Sequence, residues 1–305
     1  MANAAQLVAS SKMFGGAVQQ FVHASRSTKT PMRFSVFVPK GACAARPAPV
    51  LYYLSGLTCT DENFTHKAGA QRAAAAHNVI LVAPDTSPRP SLSGEGGGRA
   101  PFDGEDDSYD FGSGAGFYVD ATKAPWAGEG GYNMYSYVNE ELPEVVADTL
   151  QGAACSERRS IFGHSMGGHG ALVSALKNPG VFKSVSAFAP ISNPTRCAWG
   201  EKAFTGYLGS VDAGKAYDAT ELAKHFEAPD PLPVLIDTGT GDNFYSDGQL
   251  LPENFEAACA ENSAMLKCES RLQEGYDHSY NFIASFVDDH VSFHAEHLSL
   301  MKHLS

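Results

Sequence analysis

Apolar runs rich in β-branched and aromatic residues recur along the chain, and segments with helical character separate them. Runs of this length without strict alternation are typical of strands that are buried on both faces of a mostly parallel sheet. The predicted strands are residues 34–39, 50–56, 79–85, 159–165, 185–190 and 233–239.

The segments between the apolar runs have the composition of helices. Predicted helices cover residues 65–77, 135–150, 168–177 and 252–265, and a last one follows Ser279. Pro143 lies inside the second of these and indicates a break or restart there. Strands that alternate with helices predict a doubly wound α/β fold with a central parallel sheet.

Residues 87–132 interrupt this alternation with a segment that is rich in glycine and acidic residues. A loop of this length in a compact domain is usually functional or disordered. Its aromatic residues Phe111, Phe117, Tyr118 and Trp126 favour a folded excursion that packs near a site. We find no internal repeat and no linker, so we expect residues 1–305 to form one domain.

The composition and charge of the chain argue against some classes of binding partner. The chain has 305 residues, 43% of them hydrophobic, with 22 Lys and Arg against 34 Asp and Glu, which gives a net charge of −12. Such a surface repels phosphate backbones and anionic membranes, so we expect no nucleic-acid or membrane partner. No apolar stretch approaches the roughly 20 residues that span a bilayer, and the N-terminal stretch lacks the pattern of a signal peptide. We therefore expect a cytoplasmic protein.

The six cysteines are scattered, and none forms a C-x-x-C pair or has a histidine at metal-ligand spacing. We expect free, mostly buried thiols and no metal site.

The sequence Gly-His-Ser-Met-Gly at residues 163–167 is the only G-x-S-x-G in the chain. It follows a predicted strand and opens a predicted helix. In this context the glycines permit a strained turn that presents Ser165 as a nucleophile at the carboxyl edge of the sheet. The alternative is a structural serine in a glycine-rich turn.

A nucleophilic serine needs a general base, and the base needs an acid to orient it. His278 is the favoured base because it lies in a turn-rich segment after the strand-like residues 267–273. His164 should point away from Ser165, as its immediate neighbour. The histidines of the last predicted helix are interpreted as a solvated face, namely His290, His294 and His297.

Three aspartates compete for the role of the acid. Asp242 follows a Gly-Thr-Gly turn after the strand at residues 233–239, where a carboxylate would reach the catalytic edge. Asp247 also follows this strand, and Asp237 lies within it as a structural, hydrogen-bonded acid. Asp242 is favoured.

The developing oxyanion needs two backbone donors. Met166 follows the nucleophile and supplies one of them. The second is expected from the loop after the strand at residues 50–56, where either Leu57 or Thr58 is available.

Six motifs spread over nearly the whole chain are informative when taken together. They are LSGLTCTDENF at 54–64, APDTSPR at 83–89, DFGSGAGFYVDATKAPW at 110–126, GHSMGGHGAL at 163–172, FAPISNP at 188–194 and GYDHSYNFI at 275–283. These motifs resemble those of the S-formylglutathione hydrolase family, also called esterase D. The sequence departs from the family at residues 91–112, which are longer and richer in glycine and acid, and at Pro90, where glycine is usual.

The resemblance implies a single-domain α/β-hydrolase that cleaves S-formylglutathione to glutathione and formate in formaldehyde detoxification. It places Ser165, Asp242 and His278 on the catalytic triad, and Leu57 and Met166 on the oxyanion hole. It also implies a homodimer. A thioester is already an activated acyl donor, so the chemistry requires no cofactor and no metal.

Residues that bind the substrate are less defined. Because glutathione is anionic and the protein carries −12, a local basic group is expected, and Lys123 is one choice. Trp126, which lies near it in the same segment, is a second candidate for contact with the substrate. Cys59 lies two residues beyond Leu57 and is expected close to the pocket. Two other functions stay open: a broad-specificity carboxylesterase with the same triad, and a non-catalytic binding module on the same fold.

Overall fold

The computed structural model describes residues 5–89, 104–128 and 131–299. Nine strands form one sheet in the order β1-β2-β3-β5-β4-β6-β7-β8-β9. The strands are β1 (Gln6–Met13), β2 (Gly16–Ala24), β3 (Pro31–Val38), β4 (Ala48–Leu54), β5 (Ile80–Pro84), β6 (Ala154–His164), β7 (Phe182–Phe188), β8 (Leu232–Gly239) and β9 (Leu266–Gln273).

The sheet is antiparallel at one end and parallel elsewhere. Strands β1, β2 and β3 pair antiparallel, and β3 joins β5 in the same way. From β5 through β4, β6, β7 and β8 to β9 every pairing is parallel. The carboxyl ends of the parallel strands therefore meet at one edge, which is where an α/β sheet places its site.

Two groups of helices flank the sheet. Helix α5 packs on β4, β6 and β7 and contacts α8, whereas α11 packs on β6 and β7 and contacts α1 and α2. The helices are α1 (Asp61–Lys67), α2 (Gln71–His77), α3 (Met134–Ser136), α4 (Leu142–Thr149), α5 (Met166–Lys177), α6 (Ala198–Tyr207), α7 (Val211–Gly214), α8 (Ala219–Ala223), α9 (Asn243–Ser246), α10 (Pro252–Glu261) and α11 (Tyr280–Ser299).

This architecture confirms the predicted α/β-hydrolase fold, with a mostly parallel sheet between helices. Within the described ranges no helix has both the length and the apolar character needed to cross a membrane.

Two predicted helices are divided in the structure. Residues 65–77 are not one helix, because Gly69 adopts a positive φ of 75° between α1 and α2. Residues 137–141 form a π-helical turn before α4, in which the N–H of Leu142 donates to the carbonyl oxygen of Tyr137. The next residue, Pro143, has no N–H, so the break that it predicts is found as this change of helical register.

The N-terminal hairpin of β1 and β2 is absent from the sequence-based prediction. Strand β1 is almost entirely exposed at the edge of the sheet and lacks the apolar run that marks a buried strand. Phe14 and Gly15 form its turn, with φ values of 46° and 79°. An exposed edge strand needs no inward-facing apolar pattern, so its sequence gives little signal.

The described part of the 87–132 excursion is folded and packs against the loop after β4. The backbone N–H of Thr58 donates to the carbonyl oxygen of Gly114 at 2.9 Å. The hydroxyl of Tyr118 donates to the carbonyl oxygen of Ser55, also at 2.9 Å. The excursion thus helps to fix the loop that follows β4, while residues 90–103, including the departure at Pro90, lie outside the described residues.

Candidate active site

Ser165 occupies a sharp turn between β6 and α5. Its φ of 57° is a left-handed value that a non-glycine residue adopts only under constraint. Its N–H donates to the carbonyl oxygen of Phe188 on neighbouring β7 at 2.9 Å, which fixes the turn to the sheet. A Cβ on Gly167 would collide with the carbonyl of Leu54, and one on Gly163 with the carbonyl of Gly167. The two glycines of the motif are therefore required by close backbone packing.

The loop after β4 approaches this turn closely. A Cβ at Gly56 would lie 3.1 Å from the Cβ of Ser165, so glycine permits the approach. The N–H of Thr58 is occupied by Gly114, whereas the N–H of Leu57 has no acceptor among the described residues. Met166 is the first residue of α5, where an N–H lacks an intrahelical partner. Leu57 and Met166 thus leave backbone donors available beside the serine.

Asp242 and His278 are joined by a short hydrogen bond. The Nδ1 atom of His278 lies 2.5 Å from Oδ2 of Asp242, whose side chain is fully buried. The other carboxylate oxygen of Asp242 caps α9 and accepts the N–H of Phe244 at 2.8 Å. This cap holds the carboxylate in place, so the hydrogen bond to Nδ1 orients the imidazole and leaves Nε2 for another partner.

Ser165 and His278 line the same cavity, which has a volume of about 340 Å³. The loop after β4 and helix α1 form part of the lining, through residues 56–59, Asn63 and Lys67. Aromatic residues and the start of α11 contribute the rest, namely Tyr109, His164, Trp199, Phe244, Ser279 and Tyr280. The arrangement places a serine, an oriented imidazole and free backbone donors around one space.

Cys59 lies at this cavity, as the sequence predicts. It is 9% exposed, and its carbonyl oxygen accepts hydrogen bonds from Thr86 Oγ1 and Arg89. The hydroxyl of Tyr280 lies 4.0 Å from its sulfur. Burial raises the pKa of the Cys59 thiol, so the sulfur is protonated at neutral pH. A modified Cys59 would fill part of the cavity.

Lys123 and Trp126 do not line this cavity, and the expectation that they contact the substrate there is corrected. The ammonium of Lys123 donates to the carbonyl oxygen of Thr205 at 3.3 Å on the exposed surface. Trp126 is 4% exposed and packs against Phe111, with ring centroids 5.1 Å apart. The aromatic residues of the excursion belong to the main hydrophobic core, where Trp126 also packs against Tyr207 of α6, with ring centroids 5.5 Å apart.

His164 was expected to point away from the nucleophile, yet its ring lies at the cavity against His278, with ring centroids 4.4 Å apart. Burial, together with the neighbouring imidazole of His278, lowers the pKa of His164 well below its ordinary value. His164 is therefore neutral and forms part of the surface on which His278 packs.

The prediction that the histidines of the last helix form a solvated face is wrong for two of them. His290 and His294 are fully buried because α11 turns them toward β7 and β8. His290 forms hydrogen bonds with Asp237 at 3.0 Å and with Ser186 at 2.7 Å. His294 forms hydrogen bonds with Ser184 and Ser186. A helical spacing of histidines does not distinguish a polar surface from a satisfied buried network.

Asp237 belongs to that buried network and not to the cavity. Arg271 donates to its two carboxylate oxygens at 2.7 and 2.6 Å. Burial by itself raises the pKa of Asp237, but the hydrogen bonds from His290 and Arg271 outweigh it and hold this pKa well below its usual range. Among the described residues, no group of three or more His, Cys, Asp and Glu side chains is placed to hold a metal ion.

Comparisons with known proteins show the family of the chain. The family model described as "Putative esterase" matches residues 25–293. S-formylglutathione hydrolase of Bos taurus is 53% identical over 293 residues, which cover 96% of this chain and 98% of the bovine protein. The chain belongs to the S-formylglutathione hydrolase family. The enzyme of that name from Arabidopsis thaliana is 50% identical over 98% of this chain and 100% of its own length.

A solved S-formylglutathione hydrolase from Agrobacterium tumefaciens shares the whole fold. It is 41% identical, aligns with a TM-score of 0.85, and covers 96% of this chain and 100% of its own. The family resemblance inferred from the motifs is thereby confirmed. The prediction that the chain is a serine hydrolase enzyme is confirmed as well.

Sequence reasoning missed several residues that line the cavity. Asn63 and Lys67 follow the oxyanion loop at a spacing of four, which places both on one face of α1. Trp199 and Phe244 come after strands β7 and β8, at the edge where the parallel strands end. The four-residue spacing of Asn63 and Lys67 could have predicted that they share a face of α1. The positions of Trp199 and Phe244 depend on the paths of long loops, which the sequence does not predict.

Proposed function

We propose that this protein hydrolyses S-formylglutathione to glutathione and formate. The observation that carries the proposal is the placement of Ser165 and an Asp242-oriented His278 on one cavity beside free backbone N–H groups. The relatives that share its full length carry the name of this activity.

In the first half of the reaction Ser165 Oγ attacks the formyl carbon of the thioester. The Nε2 atom of His278 takes the hydroxyl proton, and Asp242 stabilises the imidazolium that results. The tetrahedral intermediate collapses by breaking the carbon–sulfur bond. The glutathione thiolate leaves with the proton from His278, and a formyl ester on Ser165 remains.

In the second half, water attacks this ester. His278 Nε2 now takes a proton from water and returns it to Ser165 Oγ as the ester bond breaks and formate leaves. In both halves the oxyanion is bound by the N–H groups of Leu57 and Met166, whose availability in the structure favours Leu57 over Thr58.

The wider role follows from the same activity. Cleavage of S-formylglutathione completes glutathione-dependent removal of formaldehyde, and we place it in the cytoplasm. We assign the activity to one catalytic domain of residues 1–305, with the excursion at 87–132 as part of it.

We also retain the homodimer as part of the proposal. The edge strand β1 offers a surface for it, because Leu7 and Val8 are 49% and 47% exposed there. Light scattering of the purified protein at twice the monomer mass would support a dimer, and the monomer mass of 32.4 kDa would exclude it.

The experiment that tests the function compares kcat/KM for S-formylglutathione and for a simple aryl ester such as p-nitrophenyl acetate. A value for the thioester that is at least about 100-fold higher is expected, because binding of the glutathione part adds to transition-state stabilisation. Comparable values for the two substrates would favour the alternative, a broad-specificity carboxylesterase.

A further inference from the structure

Helix α1 presents two polar side chains to the cavity, and no described residue accepts a hydrogen bond from the donor group of either one. Asn63 and Lys67 both line the cavity and are separated by one helical turn. The ammonium of Lys67 forms no hydrogen bond or ion pair with a described residue and lies 5.7 Å from the centroid of the Tyr280 ring. Tyr280 also lines the cavity, so this contact holds the ammonium beside it.

The side chain of Asn63 is oriented by the cap of its own helix. Its Oδ1 atom accepts the N–H of Thr60 at 2.9 Å and the hydroxyl of Thr60 at 3.3 Å. With the oxygen committed to the cap, the amide group Nδ2 is the part of Asn63 that remains available. No described residue accepts a hydrogen bond from it.

The charge of the cavity lining is unusual for this protein. The chain carries a net charge of −12, yet none of the described lining residues is an Asp or Glu, and Lys67 bears the only fixed charge among them. Charges elsewhere on the surface are screened over about 8 Å at physiological ionic strength. Lys67 is therefore the one cation among the described lining residues that a carboxylate of a ligand in the cavity could contact.

We propose that Lys67 and Asn63 Nδ2 form a carboxylate-binding subsite that selects a peptidyl thioester with free carboxylates over one whose carboxylates are esterified. The inference rests on the proposed hydrolysis of S-formylglutathione. It extends that proposal by naming the groups that bind a carboxylate of the glutathione part of the substrate. Lys67 supplies the charge and Asn63 a directed N–H donor, while Ser165 and His278 act on the thioester carbon in the same cavity.

The test uses two substrates that share the reacting group. S-formylglutathione has free carboxylates, and its diethyl ester has none. Lys67→Met should lower the ratio of kcat/KM for the acid over kcat/KM for the diester by about ten-fold, mainly through KM, as expected for one lost charge-assisted hydrogen bond. Lys67→Arg should restore most of this ratio, and added salt should lower the ratio of the wild type.

Two further variants sharpen the result. Asn63→Asp keeps the oxygen that caps α1 but replaces the amide donor with a charge that repels a carboxylate, so it too should lower the ratio. Lys123→Met removes the same charge from a lysine outside the cavity and should leave the ratio unchanged.

The outcomes separate this inference from the function. If Lys67→Met lowers kcat/KM equally for both substrates, or if Lys123→Met shifts the ratio as much, the subsite is wrong while the hydrolase activity stands. If the wild type does not hydrolyse S-formylglutathione at all, the proposed function fails and the subsite with it.

Discussion

The imidazole Nδ1 of His278 lies 2.5 Å from the buried carboxylate oxygen Oδ2 of Asp242. The other oxygen of Asp242 accepts backbone N–H groups at the start of α9, so the carboxylate cannot rotate without losing this cap. The position of the imidazole is thus determined by the turn that follows β8.

Asp242→Asn should preserve the fold and lower kcat by about 10³-fold or more. The amide can still cap α9 through its oxygen, but it can no longer stabilise the imidazolium or select the tautomer of His278. Stopped-flow or steady-state rates with S-formylglutathione measure the loss.

Asp237→Asn is the matched control for this variant. It should lower the melting temperature because Arg271 and His290 lose a charged partner, with a smaller effect on kcat in the folded protein. If this control lost more kcat than Asp242→Asn while both proteins were folded, Asp242 would not be the acid of the triad.

Modification of Cys59 should block the cavity. N-ethylmaleimide is expected to inactivate the wild type slowly, and faster as pH rises, because burial raises the pKa of the thiol and little thiolate is present at neutral pH. Cys59→Ser should keep most of the activity and resist the reagent. Loss of activity over time during incubation is the measurement.

The exposed Cys43 provides the control for thiol reactivity. Cys43→Ser should be inactivated at the rate of the wild type. Equal inactivation of the wild type and Cys59→Ser would show that a different cysteine is responsible.

The buried histidines predict how stability depends on pH. Burial lowers the pKa of His294 well below its ordinary value, so below about pH 6.5 the unfolded chain binds a proton that the folded protein does not. Stability therefore falls as pH decreases from 7.5 to 5.5, by up to about 1.4 kcal/mol per pH unit for each such histidine. His290, whose pKa burial also lowers, adds to this effect.

His294→Asn should be less stable than the wild type at pH 7.5, because it loses hydrogen bonds to Ser184 and Ser186. Its melting temperature should nevertheless change less between pH 7.5 and 5.5. His66→Asn, at an exposed position, should retain the slope of the wild type. An unchanged slope in His294→Asn would mean that His294 does not cause the acid sensitivity.

The parts of the fold that the sequence predicts well are those whose residues are buried on both faces. Strands β4 and β8 are recognisable because almost every residue in them is buried, and this leaves a continuous apolar run. Strand β1 is exposed and carries no such pattern, so it escapes prediction.

For the site, the predictable part is local in the chain. The turn at Ser165 follows from a short motif with its own backbone geometry, whereas the sequence after β4 leaves both Leu57 and Thr58 as possible donors to the oxyanion. The burial of His290, the displacement of Lys123 and the position of Trp199 depend on how distant segments pack, which no local pattern specifies. The contact between Thr58 and Gly114, which leaves Leu57 as the available donor, is of the same kind, because the two residues are far apart in the chain.

In the proposed mechanism Ser165, activated by His278, is the nucleophile in the hydrolysis of S-formylglutathione. The most direct test is the rate of S-formylglutathione hydrolysis by the wild type and Ser165→Ala side by side, with His278→Ala as a third protein. We expect rapid turnover by the wild type and losses of about 10³-fold or more in each variant, because members of a triad act as a unit. Retention of most of the activity in folded Ser165→Ala would contradict the account.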